Sequence, residues 1–194
     1  PQFQDQIVDL LPDDNTHFLL QMDGYHKVGA SVFKVALHGN KVKKVQSPMP
    51  NVYNWMTDRQ HKVRLGFERL DNDFRILHRF HKKEKWSPLW EFTSFADNQV
   101  WPLGFDQDPN ILYVSALHQG RDAIFTVNLK DPALEKTLVY ANPKYDVNGE
   151  LLYSQSKNKV IGIQTDEADG YIVWDEDYNS LFKATDKVLD DTQN

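Results

Sequence analysis

Asp106-Gln107-Asp108-Pro109-Asn110 leads into Leu112-Tyr113-Val114, a run of turn-forming polar residues followed by an apolar burst. The same event occurs four times. The other bursts are Phe18-Leu19-Leu20, Val63-Arg64-Leu65 and Val160-Ile161-Gly162-Ile163. They are led by Asp13-Asp14-Asn15-Thr16, Asp58-Arg59-Gln60-His61 and Ser156-Lys157-Asn158-Lys159. From Phe18 through Val63 and Leu112 to Val160 the spacings are 45, 49 and 48 residues. A period of about 40–50 residues filled with short strands is the imprint of a four-stranded propeller blade. The expected fold is therefore all-β: a partial β-propeller of about four blades, each a four-stranded antiparallel sheet.

Composition fits that expectation. The 194 residues suffice for a sizeable core or a set of stacked repeats, and 40% apolar with 12% aromatic residues fits a folded, β-rich protein. A net charge of −6 gives no reason to expect a nucleic-acid partner, whose phosphates ask for a basic face. Cysteine is absent, so disulfides, thiol nucleophiles and thiolate metal sites are excluded. A bacterial cytoplasm and a periplasm are equally compatible with that absence. No apolar run approaches the ~18 residues a membrane span needs, and no membrane partner is expected. The chain opens Pro1-Gln2-Phe3, without an initiator Met or a signal-like segment, which reads as a cut end, either of a processed protein or of a piece excised from a longer one.

Walking along the sequence places the blades at about 7–46, 52–95, 100–141 and 146–175. The first reads as strands Ile7–Leu11, Thr16–Met22, Ala30–Leu37 and Val42–Gln46, with turns at Asp23-Gly24 and His38-Gly39-Asn40-Lys41. The second reads Val52–Met56, Lys62–Leu70, Phe74–Phe80 and Leu89–Phe95. The third reads Val100–Phe105, Ile111–His118, Ala123–Leu129 and Lys136–Ala141. The fourth offers only Glu150–Ser154, Lys159–Thr165 and Tyr171–Asp175, with Asp166–Gly170 as a hairpin tip. From Asp177 the period changes: Tyr178, Leu181, Phe182, Thr185, Val188 and Leu189 share one face of an amphipathic helix over 177–194. Asp175 or Asp177 is its N-cap. A helix stands where the closing strand is due, so truncation of a longer chain is favoured over closure by the other terminus. Open blade edges make self-association an expectation as well.

Certain pieces carry more than fold information. Ile7-Val8-Asp9-Leu10-Leu11-Pro12-Asp13-Asp14 leads into Phe18-Leu19-Leu20 and then Ser31-Val32-Phe33-Lys34-Val35. Trp55-x-x-Asp58 is followed by Val63-Arg64-Leu65-Gly66, and Trp86-x-x-Leu89 precedes Pro102-Leu103-Gly104-Phe105. Leu112-Tyr113-Val114-Ser115 and Gly120-Arg121-Asp122-Ala123-Ile124-Phe125 complete the set. In this order, over most of residues 7–174, the chain resembles the N-terminal propeller of the prolyl oligopeptidase family of serine peptidases. The likeness is to the bacterial dipeptidyl-aminopeptidase and acylaminoacyl-peptidase-like branch. The resemblance implies a module that gates peptide access to an α/β-hydrolase domain of the same parent chain. The family's catalytic serine sits in a Gly-x-Ser-x-Gly turn, and no two glycines here lie four residues apart. No catalytic residue is carried over, and no cofactor is expected.

Conspicuous side chains are assigned to packing first. Trp55, Trp86, Trp90, Trp101 and Trp174 either form a stacking platform or fill space between blades, and the place of Trp55 and Trp101 near blade starts favours filling. Arg64, charged inside an apolar burst, pairs with Asp58 or lines the central tunnel. Arg121 with Asp122 forms a turn, and the resemblance adds a blade-bracing hydrogen bond. Arg64, Arg121, Trp55 and Trp101 are thus the candidates for contact with substrate or tunnel. His78 and His81, three apart on a strand, face opposite sides and sit among Arg75, Arg79, Lys82, Lys83 and Lys85. That set reads as an exposed basic strand end, or as a surface for an acidic peptide or the hydrolase domain. Asp106-x-Asp108-x-Asn110 mimics a calcium loop but has Ile111 where Gly is needed and Leu117 where Glu is needed. Two other classes stay open: a stand-alone WD-type or TolB-like propeller for protein binding, and a glycoside-processing propeller with carboxylates on its innermost strands.

Overall fold

The computed structural model describes residues 5–23, 29–82, 84–165 and 170–188. Gly24 of the expected first turn, Lys83, residues 166–169 of the last hairpin tip, and Leu189 with the rest of the expected helix lie outside them. The chain divides into two compact units, Pro1–Gln99 and Val100–Asn194. In the first, β1 (Gln6–Asp9), β2 (His17–Asp23), β3 (Ala30–Ala36) and β4 (Val42–Gln46) form one sheet in chain order. A second sheet follows with β5 (Val52–Thr57), β6 (Val63–Leu70), β7 (Asp73–His78) and β8 (Ser87–Thr93). The second unit holds β9 (Val100–Phe105), β10 (Ile111–His118), β11 (Arg121–Asn128) and β12 (Lys136–Tyr140). Its other sheet has three strands, β13 (Glu150–Ser154), β14 (Lys159–Gln164) and β15 (Tyr171–Val173), followed by α1 (Glu176–Val188). Every pairing is antiparallel. The fold is all-β, four small meander sheets of the propeller-blade type with one helix.

All four apolar bursts fall on the second strand of their sheet, β2, β6, β10 and β14. These strands have a partner on each side. Val63 to Phe67 and Leu112 to Ala116 are buried without interruption, the pattern of a strand covered on both faces. The polar leaders form the turns before them for a chemical reason. Asp14, Asp58 and Asp108 each accept the amide two residues on, from Thr16, Gln60 and Asn110, which bends the chain without a glycine.

Several boundaries differ from the sequence expectation, each through a side chain that captures a backbone group. β1 stops at Asp9, because Asp9 Oδ1 accepts the Leu11 amide at 2.9 Å and Leu11 turns to φ 49°. β7 stops at His78, because the Phe80 amide donates to Glu84 Oε2 at 3.1 Å. β8 begins earlier, at Ser87, and accommodates Pro88 because it is an edge strand. It ends at Thr93, with Phe95 at φ 64° beyond it. At α1 the N-cap is Asp175, whose Oδ1 accepts the Tyr178 amide at 3.2 Å, while Glu176 and Asp177 place negative charge against the helix dipole. The helix's apolar residues Leu181 and Phe182 are exposed.

Each unit buries its own core. In the first, Leu11, Leu19 and Val32 of one blade meet Val52, Trp55, Val63 and Leu77 of the next. In the second, Tyr113 and Ile124 meet Val147, Val160, Ile163 and Ile172. The Tyr153 hydroxyl crosses between those blades to donate to the Phe105 carbonyl at 3.0 Å. Entry into β13 depends on Gly149, which takes φ 141°, and a Cβ there would lie 1.8 Å from the Gln164 carbonyl oxygen. Gly149→Ala is expected to cost more than about 1 kcal/mol, since the native dihedral is closed to alanine and the β13–β14 pairing has to shift. Urea denaturation followed by tyrosine and tryptophan fluorescence measures it.

Candidate functional site

The densest set of buried charge lies where β5 turns into β6. Asp58 Oδ1 accepts the amides of Gln60 and Lys62 at 3.0 and 2.9 Å, closing the turn. Its Oδ2 accepts from Arg64 Nη1 at 2.9 Å, and both side chains are more than nine-tenths buried. Arg64 Nε donates to the Arg79 carbonyl at 2.7 Å, and the Phe80 ring lies 5.6 Å from the guanidinium. From the neighbouring blade Asp9 reaches the same turn. Thr57 Oγ1 donates to Asp9 Oδ2 at 2.9 Å, and His61 Nδ1 lies 2.9 Å from the same oxygen. The turn is clasped on one side by its own arginine and on the other by the first blade's aspartate.

His78 stands beside this cluster. Burial pulls its pKa down, and the Arg64 charge adds to the effect against the opposing pull of Glu84, so the ring is neutral at neutral pH. Its Nε2 lies 3.2 Å from Ser87 Oγ, the spacing of a nucleophile and its base. The buried Nδ1 has no hydrogen-bond partner among the described residues, so none of their carboxylates orients the imidazole as an acyl-transfer triad requires. The pair is a cross-strand hydrogen bond on facing positions of β7 and β8. Among the described residues no group of three or more His, Asp or Glu side chains is placed to hold a metal ion. None of the described helices is long and apolar enough to cross a membrane.

The sequence candidates separate into the two units. In the first, Arg64 pairs with Asp58, and Trp55 is 2% exposed. The Trp55 indole donates to the Ala30 carbonyl at 2.8 Å, and its amide donates to Gln21 Oε1 at 2.9 Å. Trp86 packs against Trp55, with ring centroids 5.0 Å apart, and the Arg79 guanidinium lies 4.4 Å from the Trp86 ring. In the second unit, Trp101 is half-buried on β9 opposite Ser115. Exposed Arg121 donates from Nε to the Pro143 carbonyl at 3.2 Å, bracing the β10–β11 hairpin to the segment that leads into β13. The Asp122 amide donates to Asp146 Oδ1 at 2.9 Å. Burial and the Asp146 charge raise the Asp122 pKa. The calcium-like run is a turn: Asp108 Oδ1 accepts from the Asn110 amide and side chain, and Asp106 Oδ1 accepts the Val160 amide at 3.3 Å.

Asp9, His61 and Ser87 carry this geometry and are not singled out by the sequence reading, which names Arg79 only within the basic set beside His78. A signal for one of them exists. Asp9, Asp58, Asp106 and Ser154 recur at intervals of 49, 48 and 48 residues, at or just past the end of each blade's first strand. Each directs a side-chain oxygen to a backbone amide of the turn or of the next blade. A repeat aligned on these oxygens exposes the clasp directly.

A second charged cluster fixes the start of α1. Lys157 Nζ reaches Asp175 Oδ1 and Asp177 Oδ2, both at 2.6 Å, and Lys159 also meets Asp175. The Tyr178 hydroxyl lies 2.7 Å from Ser154 Oγ and 2.9 Å from Ser156 Oγ. Lys157 and Lys159 hold the Asp175 carboxyl well below the usual carboxylate range. A depressed folded pKa gives stabilisation that is complete above the unfolded value near 4 and is lost only as pH falls toward the folded one. The start of α1 is therefore expected to stay protected from hydrogen exchange at pH 4 and to lose protection in roughly 1 M salt, which screens the pairs. Amide exchange at Tyr178 and Asn179 reads both conditions.

No protein-family model, curated protein or solved structure matches this chain.

Proposed function

We propose that this chain is the non-catalytic propeller segment of a prolyl oligopeptidase-type serine peptidase, gating peptide access to an α/β-hydrolase domain. The observation that carries the reading is how the buried charges are used. Asp9, Asp58 and Arg64 are all bound by neighbours within their unit: Asp9 braces the first blade to the second, and Asp58 with Arg64 braces the second internally. The ordered resemblance supports the family. Two of its pieces fall on the second strand of their sheets: Val63-Arg64-Leu65-Gly66 on β6 and Leu112-Tyr113-Val114-Ser115 on β10. The test is removal of residues 1–176 from the parent protein. Cleavage of short aminoacyl-naphthylamides is expected to persist while longer peptides become substrates. A parent reading frame with no downstream Gly-x-Ser-x-Gly segment overturns the proposal.

A second reading is a stand-alone WD-type or TolB-like propeller that binds proteins. The cationic loop between β7 and β8 favours it, because Lys82 and Lys85 are exposed and form no ion pair among the described residues. A reading frame that stops soon after Asn194 selects this reading over the first.

A further inference from the structure

The β7–β8 loop holds a half-buried guanidinium, Arg79, stacked on an aromatic ring with no carboxylate of the described residues against it. Elsewhere Lys34, Arg64, Arg75, Lys157 and Lys159 each meet a carboxylate. Arg79, Lys82 and Lys85 take no part in the ion pairs formed among the described residues. The loop's one carboxylate, Glu84, points at the backbone: its Oε2 accepts the amides of Phe80 and His81 at 3.1 and 3.3 Å. It shapes the loop and leaves the cations unneutralised, on a chain whose net charge is −6.

Arg79 is also held rigidly. Its amide donates to the Arg64 carbonyl at 3.2 Å, and its carbonyl accepts from Arg64 Nε at 2.7 Å. The guanidinium stacks on Trp86, itself packed against buried Trp55. Burial lowers the Arg79 pKa, the direction of a cation that has lost water without gaining a counter-ion. A guanidinium fixed on an indole face keeps its planar fork free for a carboxylate, with little rotamer entropy left to lose.

We infer that the β7–β8 loop of the second blade is a docking surface for an acidic polypeptide segment, with Arg79 on Trp86 as its anchor and Lys82 and Lys85 as flanking charges. A carboxylate matches the flat fork by paired N–H···O bonds, and neighbouring acidic side chains reach the two exposed lysines. A polynucleotide fits less well. It needs a run of phosphate contacts, whereas this site offers three described cations on a chain whose net charge is −6. The surface does not depend on the peptidase reading and persists if that reading fails.

The test uses the whole chain and a fluorescein-labelled Glu-Gly repeat peptide, with its Gln-Gly counterpart as control. The Glu-Gly peptide is expected to bind and to weaken several-fold between low salt and roughly 0.3 M salt, while the Gln-Gly peptide does not bind. Arg79→Gln is expected to weaken binding at least about tenfold. The exposed double variant Lys82→Glu/Lys85→Glu, which leaves the Trp86 contact in place, is expected to do the same. Lys130→Glu in the other unit leaves affinity unchanged. Equal binding by wild type, Arg79→Gln and the double variant overturns the inference, as does failure of the Glu-Gly peptide to bind. Tighter binding of a labelled single-stranded oligonucleotide overturns it in favour of phosphate. Self-association in sedimentation that the Lys82/Lys85 variant abolishes overturns it in favour of a second copy of this chain.

Discussion

Asp58→Ala is expected to cost about 3–5 kcal/mol of stability, the range for removing one partner of a buried ion pair. The reason lies in what is left behind. Arg64 stays in the interior of β6, its Nε still tied to the Arg79 carbonyl, while Nη1 faces the space that Asp58 Oδ2 filled. The guanidinium cannot neutralise itself by losing a proton, so its charge persists in the folded state without the Asp58 carboxylate. Two further amides, of Gln60 and Lys62, lose their acceptor at the same time. With a urea m-value of roughly 1–3 kcal/mol per M, the midpoint of the first unit's transition falls by roughly 1–5 M. Tryptophan fluorescence reports it, because Trp55 and Trp86 lie in that unit. The control is Asp58→Leu/Arg64→Met, which removes both charges and replaces them with apolar volume. It is expected to recover most of the loss, as apolar replacement of buried pairs usually does. If Asp58→Ala and the double variant unfold at the same midpoint, the pair is not what holds the turn.

The architecture was legible because a propeller writes its period into its second strands. Phe18, Val63, Leu112 and Val160 all lie on the strand flanked on both sides, where burial favours apolar residues, and a turn-forming Asp or Asn precedes each of them. What escaped was set by side chains reaching over the ladder. Glu84 drawing the Phe80 amide away from β7, and Asp9 folding Leu11 out of β1, are single hydrogen bonds with no periodic trace. The site was legible in part. Arg64 inside an apolar burst announced a partner, and Asp58, six residues before it, was near enough to name. Asp9 and His61 are 52 residues apart, and Arg79 meets Trp86 only because β7 and β8 are antiparallel neighbours. Contacts of that kind belong to register, which one sequence does not spell out.

Trp55→Ala is the variant expected to separate blade packing from ligand contact most clearly. Trp55 was a candidate for touching substrate, and its surroundings place it between two blades of the first unit. The ring lies over Gly66 on the adjacent strand, where an added Cβ would sit 2.7 Å from it, so the glycine is what lets β6 pass beneath the indole. One edge donates to the Ala30 carbonyl of the preceding blade, and one face meets Trp86. Truncation removes the largest side chain from that interface and orphans a carbonyl, an expected loss of about 3–5 kcal/mol. Trp55→Phe keeps most of the apolar contact and loses the indole N–H, so its cost is expected nearer the roughly 1–3 kcal/mol of one unsatisfied buried acceptor. The two are compared by urea unfolding and near-ultraviolet circular dichroism, where the Trp55–Trp86 contact contributes. A surface-ligand role makes a different pattern: both variants would fold with wild-type stability and differ only in binding. Trp55→Ala at wild-type stability would therefore return Trp55 to the list of contact residues and remove it from the blade interface.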